Sequence, residues 1–222
     1  METEEESVIQ QFHQKFDANY WFDDNGKLRK LSEFVEPLFG FELELLTQKT
    51  ENEDSQSFYD EWVANYIGKP IHLGFYHDGA LERGFEIASK PCSLGFLLND
   101  FDWSFLNRAQ ECGAQIGTMI GEMGFHVHID RRSFADDSHI KRFRREILSQ
   151  VNSPDCEKSD WFTKNVYCKP IEADDDKYCA VNVRPDRTVE VRCLVPTFSE
   201  SRIKEYLRYL NETINNTQGE QS

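Results

Sequence analysis

Four short segments place charged or histidine side chains at every second position. They cover residues 39–45, 84–88, 124–130 and 188–192. Successive side chains of a β-strand point to opposite faces of a sheet. Each segment therefore predicts a strand with one apolar face and one chemically active face. The active faces carry Glu42, Glu44, Glu86, His126, His128, Asp130, Glu190 and Arg192.

Carboxylates, imidazoles and a guanidinium on one sheet face have the chemistry of a cation and phosphate site. Mg²⁺ prefers carboxylate oxygens together with phosphate oxygens. His126 and His128 could each act in one of two ways. A neutral imidazole can bind a metal, and a protonated imidazole can donate to a phosphate oxygen. The planar guanidinium of Arg192 fits two phosphate oxygens at once.

Each motif taken alone also fits a structural role. A Glu-x-Glu strand is commonly a solvated face, a His-x-His pair can lie at the surface, and Glu-x-Arg often forms a cross-strand salt bridge. The four motifs occur together, however, and each keeps its polar residues on the alternate face. That joint pattern favours a functional site.

The surrounding elements predict an α+β protein with a mainly antiparallel sheet. Strands occur in clusters between helices of unequal length, without the regular alternation that a parallel sheet requires. Ser138 is the expected N-terminal cap of the helix predicted at about residues 138–150. Apolar periodicity predicts helices at about residues 7–20, 56–67, 102–116, 138–150 and 199–215, and further strands at 71–76 and 178–183.

Composition limits the classes of protein that the chain can represent. With 222 residues and 39% hydrophobic residues it is long enough for one sizeable core. The net charge of −15 argues against nucleic-acid binding, and no stretch is long and apolar enough for a membrane span. Six irregularly spaced cysteines and an acidic N-terminus indicate reduced thiols and a cytoplasmic location.

The motif-free start of the chain predicts a separate acidic segment. We expect residues 1–30 to be an N-terminal appendage that could bind a protein partner, residues 31–217 to form the catalytic domain, and residues 218–222 to be a disordered tail. Residues 23–26 (DDNG) predict a turn within that first segment.

The four blocks, in this order, resemble the motifs of the amidoligase family of carboxylate–amine ligases. The first is FGFELE at residues 39–44, and the second is HDGALERGFEIASKP at residues 77–91. The third is GFHVHID at residues 124–130. The fourth joins AVN at residues 180–182 to TVEVR at residues 188–192. Ala80 departs from the pattern, because the family usually has serine there.

The resemblance implies a glutamine synthetase-like fold, in which a curved, mainly antiparallel sheet has helices on one face and holds ATP and Mg²⁺ on the other. The implied reaction transfers the γ-phosphoryl of ATP to a substrate carboxylate, after which an amine attacks the acyl phosphate. The carboxylate and amine would belong to small molecules or peptides.

The same resemblance assigns roles to individual residues. The implied metal ligands are Glu42, Glu44, Glu86, His126 and Glu190. The implied cofactor-binding residues are Asp78, His128, Asn182 and Arg192. The implied catalytic residues are His126, Glu190 and Arg192.

Two other functions fit parts of the sequence. His126 and His128 could hold zinc in a metal-dependent hydrolase, although four glutamates favour magnesium over zinc. A non-catalytic acidic binding module is the other alternative, and it would have no need to keep charged residues in these positions.

Overall fold

Strand β3 (Leu38–Thr47) is the centre of the fold, and the other strands are arranged around it. The computed structural model describes residues 20–33, 37–47, 72–77, 84–111, 113–116, 123–153, 155–163, 168–173 and 176–219. Within these ranges the chain forms a mixed α+β structure with a mostly antiparallel open sheet and four α-helices. The α+β class expected from the sequence is therefore confirmed.

The sheet contains ten described strands. Besides β3 they are β1 (Tyr20–Phe22), β2 (Leu28–Lys30), β4 (Leu73–His77), β5 (Gly84–Ser89), β6 (Cys92–Ser93), β7 (Ala114–Gln115), β8 (Phe125–Asp130), β9 (Val181–Asn182) and β10 (Thr188–Leu194). The main path runs β2-β1-β6-β3-β8-β10-β9, and β5 joins β3 to β4. Among these pairs β1 and β6 run parallel, whereas the others are antiparallel.

The helices are α1 (Leu94–Asn99), α2 (Ser104–Glu111), α3 (Asp137–Asn152) and α4 (Glu200–Thr217). The Asp136 side chain caps α3 by accepting a hydrogen bond from the His139 N–H at 2.7 Å, so the expected cap at Ser138 was wrong. Helix α2 is shorter than the predicted helix at 102–116, because the chain turns at Gly113, whose φ is +85°, and then enters β7.

The apolar face of the sheet packs against the helical layer. Alternate residues of β3 are buried, and the Phe41 ring lies 5.2 Å from Trp103 and 6.0 Å from Phe105, at the start of α2. The Phe125 ring of β8 lies 6.0 Å from Tyr206 of α4. Helices α2 and α4 thus cover the face opposite the polar one, as the strand alternation predicts.

The first described residues belong to this sheet. Tyr20–Phe22 pairs with Leu28–Lys30, and Phe22 pairs with Cys92 of β6. The predicted turn between the two strands is confirmed, since the Asp23 side chain accepts the N–H groups of Asn25 and Lys27 at 3.0 and 2.9 Å. Residues 20–30, which the sequence assigns to an appendage, therefore contribute two strands.

Two predicted helices cannot be compared with the structure. The helix at 56–67 lies outside the described residues, and so does the helix at 7–20 apart from Tyr20, which begins β1. The helix predicted at 199–215 is confirmed as α4, whose first turn is capped by Ser199. Among the described helices, none has the length and apolar character needed to cross a bilayer.

Candidate functional site

Strand register brings the predicted polar residues to one face of the sheet. In the β3–β8 pair Glu42 lies opposite His126, and in the β3–β5 pair Glu44 lies opposite Glu86. In the β10–β8 pair Glu190 lies opposite His128. Residues directly opposite each other in an antiparallel pair share a face. The predicted common face is therefore confirmed, while the chemical roles of these residues stay predictions.

His126 is at the centre of this cluster and is only 4% exposed. Its Nδ1 lies 3.4 Å from Glu42 Oε2, 3.6 Å from Glu190 Oε1 and 4.0 Å from Glu44 Oε1. Glu42, His126 and Glu190 each offer one donor atom within 4.8 Å of the other two, an arrangement that could hold a metal ion. We call these three residues the donor triad.

His128 lies on the other side of Glu42. Its Nε2 is 2.9 Å from Glu42 Oε1, at an angle poorer than that of a regular hydrogen bond, and its Nδ1 is 3.4 Å from Thr188 Oγ1. Burial acts to lower the pKa of His128, but Glu42, followed by Glu190 and Glu86, outweighs this effect and raises the pKa. His128 is thus biased towards its charged form.

The contact between Glu42 and His128 lowers the pKa of the Glu42 carboxyl. Burial acts to raise the pKa of the Glu42 carboxyl, but its contacts with His126 and His128 outweigh this effect and hold the pKa well below its usual range. The carboxylate therefore remains ionised at neutral pH, as a ligand for a cation must be.

Glu190 is held from two sides. Asn182 donates from Nδ2 to Glu190 Oε2 at 2.7 Å, and Arg192 Nη1 forms an ion pair with Glu190 Oε1. Asn182 also accepts the Arg184 N–H at 3.0 Å, which fixes the amide orientation. Asn182 thus lies behind Glu190 and orients its carboxylate.

A β-bulge lies at Arg192, which forms an ion pair with Glu190 of the donor triad. The register between β10 and β8 shifts between Val191 and Leu194, so β10 contains one extra residue at this point. Such a bulge bends the strand and re-aims a side chain. The Arg192 backbone N–H donates to Ala180 O at 2.9 Å, which holds the main chain of the bulge. The sequence shows the Glu-x-Arg motif but contains no signal for this bulge.

Gly124 supports two members of the cluster, and its role was missed in the sequence. Its N–H donates to Glu44 Oε2 at 2.6 Å. A Cβ at this position would come within 2.8 Å of His126 Cδ2 and closer still to Nε2, so the imidazole requires the absence of a side chain here. The available signal was a glycine two residues before His126, on the same strand face.

A cavity of about 220 Å³ adjoins the cluster at Glu42 and His128. Its wall is largely apolar, with polar groups from Ser89, Asp130 and Thr188. Arg132 donates to both Asp130 oxygens, at 2.9 and 2.8 Å, so that carboxylate is already neutralised. The volume is below the range of about 300–1,000 Å³ for complete small-molecule sites, and it suits one part of a larger ligand.

The structure brings most of the predicted site residues together. Glu86 shares the face with Glu44, and its charge contributes to the raised pKa of His128. Asp78 lies outside the described residues. Arg131 donates to the backbone oxygens of Val183 and Pro185 and thereby orders the β9–β10 connection.

Comparisons with known proteins do not identify a family for this chain. The chain matches no protein-family model and no curated protein. The class of protein is therefore defined by the fold and the site: an α+β protein with a carboxylate–imidazole–arginine cluster on the open face of an antiparallel sheet.

Proposed function

We propose that this protein is an ATP-dependent carboxylate–amine ligase of the amidoligase type, with a glutamine synthetase-like catalytic sheet. The observation that carries the proposal is the convergence of the donor triad and Arg192 on one sheet face. Glu42 and His126 are 84 residues apart in the chain, yet His126 Nδ1 lies 3.4 Å from Glu42 Oε2. The four sequence blocks that resemble the family supply these same residues.

The donor triad fits a hard divalent cation. Two ligands that share Mg²⁺ at about 2.1 Å each can be at most about 4.2 Å apart. The separations of 3.4 and 3.6 Å between His126 and the two carboxylates meet that limit. The two carboxylates suit magnesium or manganese, and Glu44 Oε1 lies nearby, at 4.0 Å from His126 Nδ1.

Formal charge also favours a cation and a phosphate. Apart from Asp130, which is paired with Arg132, the face carries four carboxylates, from Glu42, Glu44, Glu86 and Glu190. They face the guanidinium of Arg192 and the imidazole of His128, whose pKa is raised. Mg²⁺ held by Glu42, His126 and Glu190 would compensate this excess and would supply positive charge for the phosphates of ATP. Arg192 would then stabilise the charge on the transferring phosphoryl group.

A carboxylate must be activated before an amine can attack it, because its own oxygen is a poor leaving group. Transfer of the γ-phosphoryl from ATP to the substrate carboxylate forms an acyl phosphate and ADP. A neutral amine then attacks the acyl carbon, forms the C–N bond, expels phosphate and loses one proton. The protein binds and orients the reactants and neutralises charge rather than forming a covalent bond to them.

The remaining contacts of the site have places in this scheme. Asn182 keeps Glu190 in position, Thr188 contacts His128, and the adjoining cavity offers room for one part of the nucleotide or of a small-molecule or peptide substrate. Five cysteines of the described residues carry free thiols, which supports the proposed cytoplasmic location.

The hydrolase alternative fits less well. A zinc site on His126 and His128 would need both imidazoles to share one ion, but the donor triad found among the described residues contains His126 with two carboxylates instead. His128 contacts Glu42 and Thr188. We therefore do not propose a hydrolase.

An ADP-release assay with Mg²⁺ and ATP, screened over pools of carboxylates and amines, tests the ligase proposal. We expect ADP release that needs both a carboxylate and an amine, and that falls on the order of 10²-fold in Arg192→Lys, because lysine lacks the planar fork. Arg145→Lys, on the exposed surface of α3, is the matched control. ADP release that is independent of both pools would contradict the ligase proposal.

A further inference from the structure

We propose that a divalent cation and Arg192 compete for the same oxygen of Glu190, so that the displaced guanidinium creates the binding site for a polyphosphate. The cation would therefore bind first and switch the site on for its anionic ligand. This inference rests on the proposed function in one respect, which is that the anionic ligand is a polyphosphate.

The two oxygens of Glu190 have different surroundings. Oε2 accepts the hydrogen bond from Asn182 at 2.7 Å. Oε1 lies 3.6 Å from His126 Nδ1, so it is the oxygen directed at the place where a cation would share ligands with His126. Arg192 Nη1 pairs with this same Oε1.

A cation at the donor triad therefore cannot leave the Arg192 pair unchanged. Glu190 cannot turn its other oxygen inward without breaking the buried hydrogen bond to Asn182, since the side chains of both residues are buried. Loss of such a buried bond would leave the Asn182 amide without its acceptor in a buried position, which is unfavourable. The Arg192 side chain has more room to move than the Glu190 side chain, because 17% of it is exposed against 6% for Glu190.

The displaced guanidinium keeps its charge, since arginine is not deprotonated in proteins. It would then lie beside a divalent cation and could donate hydrogen bonds to an anion. Two adjacent positive centres repel each other but bind a polyphosphate strongly. In the cation-free state the Arg192 guanidinium is paired with Glu190, so the guanidinium is less available to an anion.

Thermodynamic linkage makes this exchange measurable. If the cation raises the affinity for the polyphosphate, the polyphosphate raises the affinity for the cation by the same factor. Removing Arg192 should have opposite effects on the two ligands. The cation loses a competitor and binds more tightly, whereas the polyphosphate loses a partner and binds more weakly.

Calorimetric titrations of the full chain with MnCl₂ and with tripolyphosphate test the exchange. For the wild type we expect tripolyphosphate to bind roughly 5- to 150-fold more tightly with saturating Mn²⁺ than with EDTA, the usual range for coupled sites. Arg192→Gln should bind Mn²⁺ more tightly than the wild type and tripolyphosphate at least about 5-fold more weakly at saturating Mn²⁺. The complex of Mn²⁺ with tripolyphosphate in solution is the same for all variants, so it cancels in their comparison.

Arg145→Gln removes the same charge from the exposed surface of α3, and both affinities should stay at the wild-type values. Arg192→Lys keeps the charge and provides a second variant whose Mn²⁺ affinity should remain near the wild-type value. The exchange is overturned if Arg192→Gln weakens both ligands, or if tripolyphosphate binds the wild type equally well with and without Mn²⁺. Normal coupling without ADP release in the ligase assay would instead overturn the proposed function and leave the exchange intact.

Discussion

At the residue scale, the site depends on how each carboxylate is held. Glu190 is only 5% exposed, and Asn182, His126 and Arg192 surround it. A Glu-x-Arg pair at an exposed sheet face would contribute roughly 0–1 kcal/mol as a salt bridge. Burial between three polar partners fixes the Glu190 carboxylate instead, which argues against a solvated surface pair.

Glu190→Gln should weaken divalent cation binding by roughly 10- to 100-fold, a range seen when the close surroundings of a metal ligand are altered. The substitution keeps the size of the side chain but removes one negative charge from the donor triad. Mn²⁺ titration calorimetry measures the effect. Glu212→Gln, on the exposed surface of α4, removes the same charge and should bind Mn²⁺ like the wild type. Equal losses in both variants would show a general charge effect rather than a ligand position.

The pair of Glu42 and His128 should give the cation-free protein a defined pH dependence. The pKa of Glu42 is lowered on folding, so its contribution to stability is present above the unfolded value of 4.5 and is lost as the pH falls through the folded pKa. The pKa of His128 is raised, so its contribution is fully present below the unfolded value of 6.5 and is lost as the pH rises through the folded pKa. Glu42 and His128 therefore both contribute fully to stability between pH 4.5 and pH 6.5.

Urea unfolding in EDTA should accordingly show the largest difference in the free energy of unfolding between wild type and His128→Asn in that interval. The difference should shrink on the alkaline side, because His128 of the wild type then becomes neutral. A difference that grows with rising pH above 6.5 would contradict the predicted direction.

At the scale of elements, β3, β8 and β10 form the template of the site. Each strand places at least two polar residues on one face, and the register aligns Glu42 with His126 and Glu190 with His128. The residue just before β8 is as important as the strand, since Gly124 binds Glu44 through its N–H and leaves space for the His126 ring.

Gly124→Ala should lower the free energy of unfolding by about 1–3 kcal/mol, the usual cost of overpacking. The added Cβ would overlap the His126 ring, so the loss should disappear when Gly124→Ala is introduced into His126→Ala. A double-mutant cycle by urea unfolding measures this coupling. Gly40→Ala in β3 is a matched control, because its Cβ would meet neighbours no closer than 3.6 Å. A Gly124→Ala loss that persists without the imidazole would show a backbone effect instead.

Helices α3 and α4 are joined by His139, which is away from the site. Its Nε2 lies 2.8 Å from Ile214 O near the end of α4, and its Nδ1 accepts the Ala135 N–H at 3.1 Å. Arg142 adds two bonds to the same end of α4, through the Thr217 and Gln218 oxygens at 2.7 and 2.8 Å. The two helices thus support the sheet from its apolar side.

His139→Ala should cost about 1–3 kcal/mol, because it removes a buried imidazole and its bonds to the Ile214 carbonyl and the Ala135 N–H. The melting temperature should fall, while Mn²⁺ affinity of the folded protein should remain at the wild-type value. Arg145→Ala, an exposed change on the same helix, should leave both quantities close to wild type. A loss of Mn²⁺ affinity in His139→Ala would show that the helical layer and the donor triad are coupled.

At the scale of the whole molecule, one sheet connects the start of the described chain to the site. Trp21 is only 2% exposed and donates from Nε1 to Lys30 O at 3.1 Å, and Phe22 stacks on Phe96 of α1 at 6.0 Å. Strand β1 is linked through β6 to β3, which carries Glu42 and Glu44. Residues 20–30 are therefore part of the same core that supports the donor triad.

Trp21→Ala should lower the free energy of unfolding by about 3–5 kcal/mol, as expected for the loss of a buried tryptophan. Urea unfolding followed by circular dichroism measures the change. Leu28→Ala, at a side chain that is 45% exposed on β2, is the matched control and should cost far less. A small loss in Trp21→Ala would support the appendage expected from the sequence.

The sequence alone identified which side chains share a face. Alternation is a property of the extended backbone, so Glu42 with Glu44, His126 with His128, and Glu190 with Arg192 could be grouped without any knowledge of the fold. The α+β class and the apolar stripe of α4 could be predicted for the same reason, because the spacing of apolar residues is local information.

Tertiary structure decided which strands are neighbours and which atoms meet. Pairing of β3 with β8 joins residues about 84 positions apart, and no local pattern specifies that register. The parallel contact of β1 with β6, the bulge at Arg192 and the bond from Asn182 to one oxygen of Glu190 also depend on distant contacts. Alternation therefore predicted the members of the site, whereas strand pairing and burial determined how each of them is held.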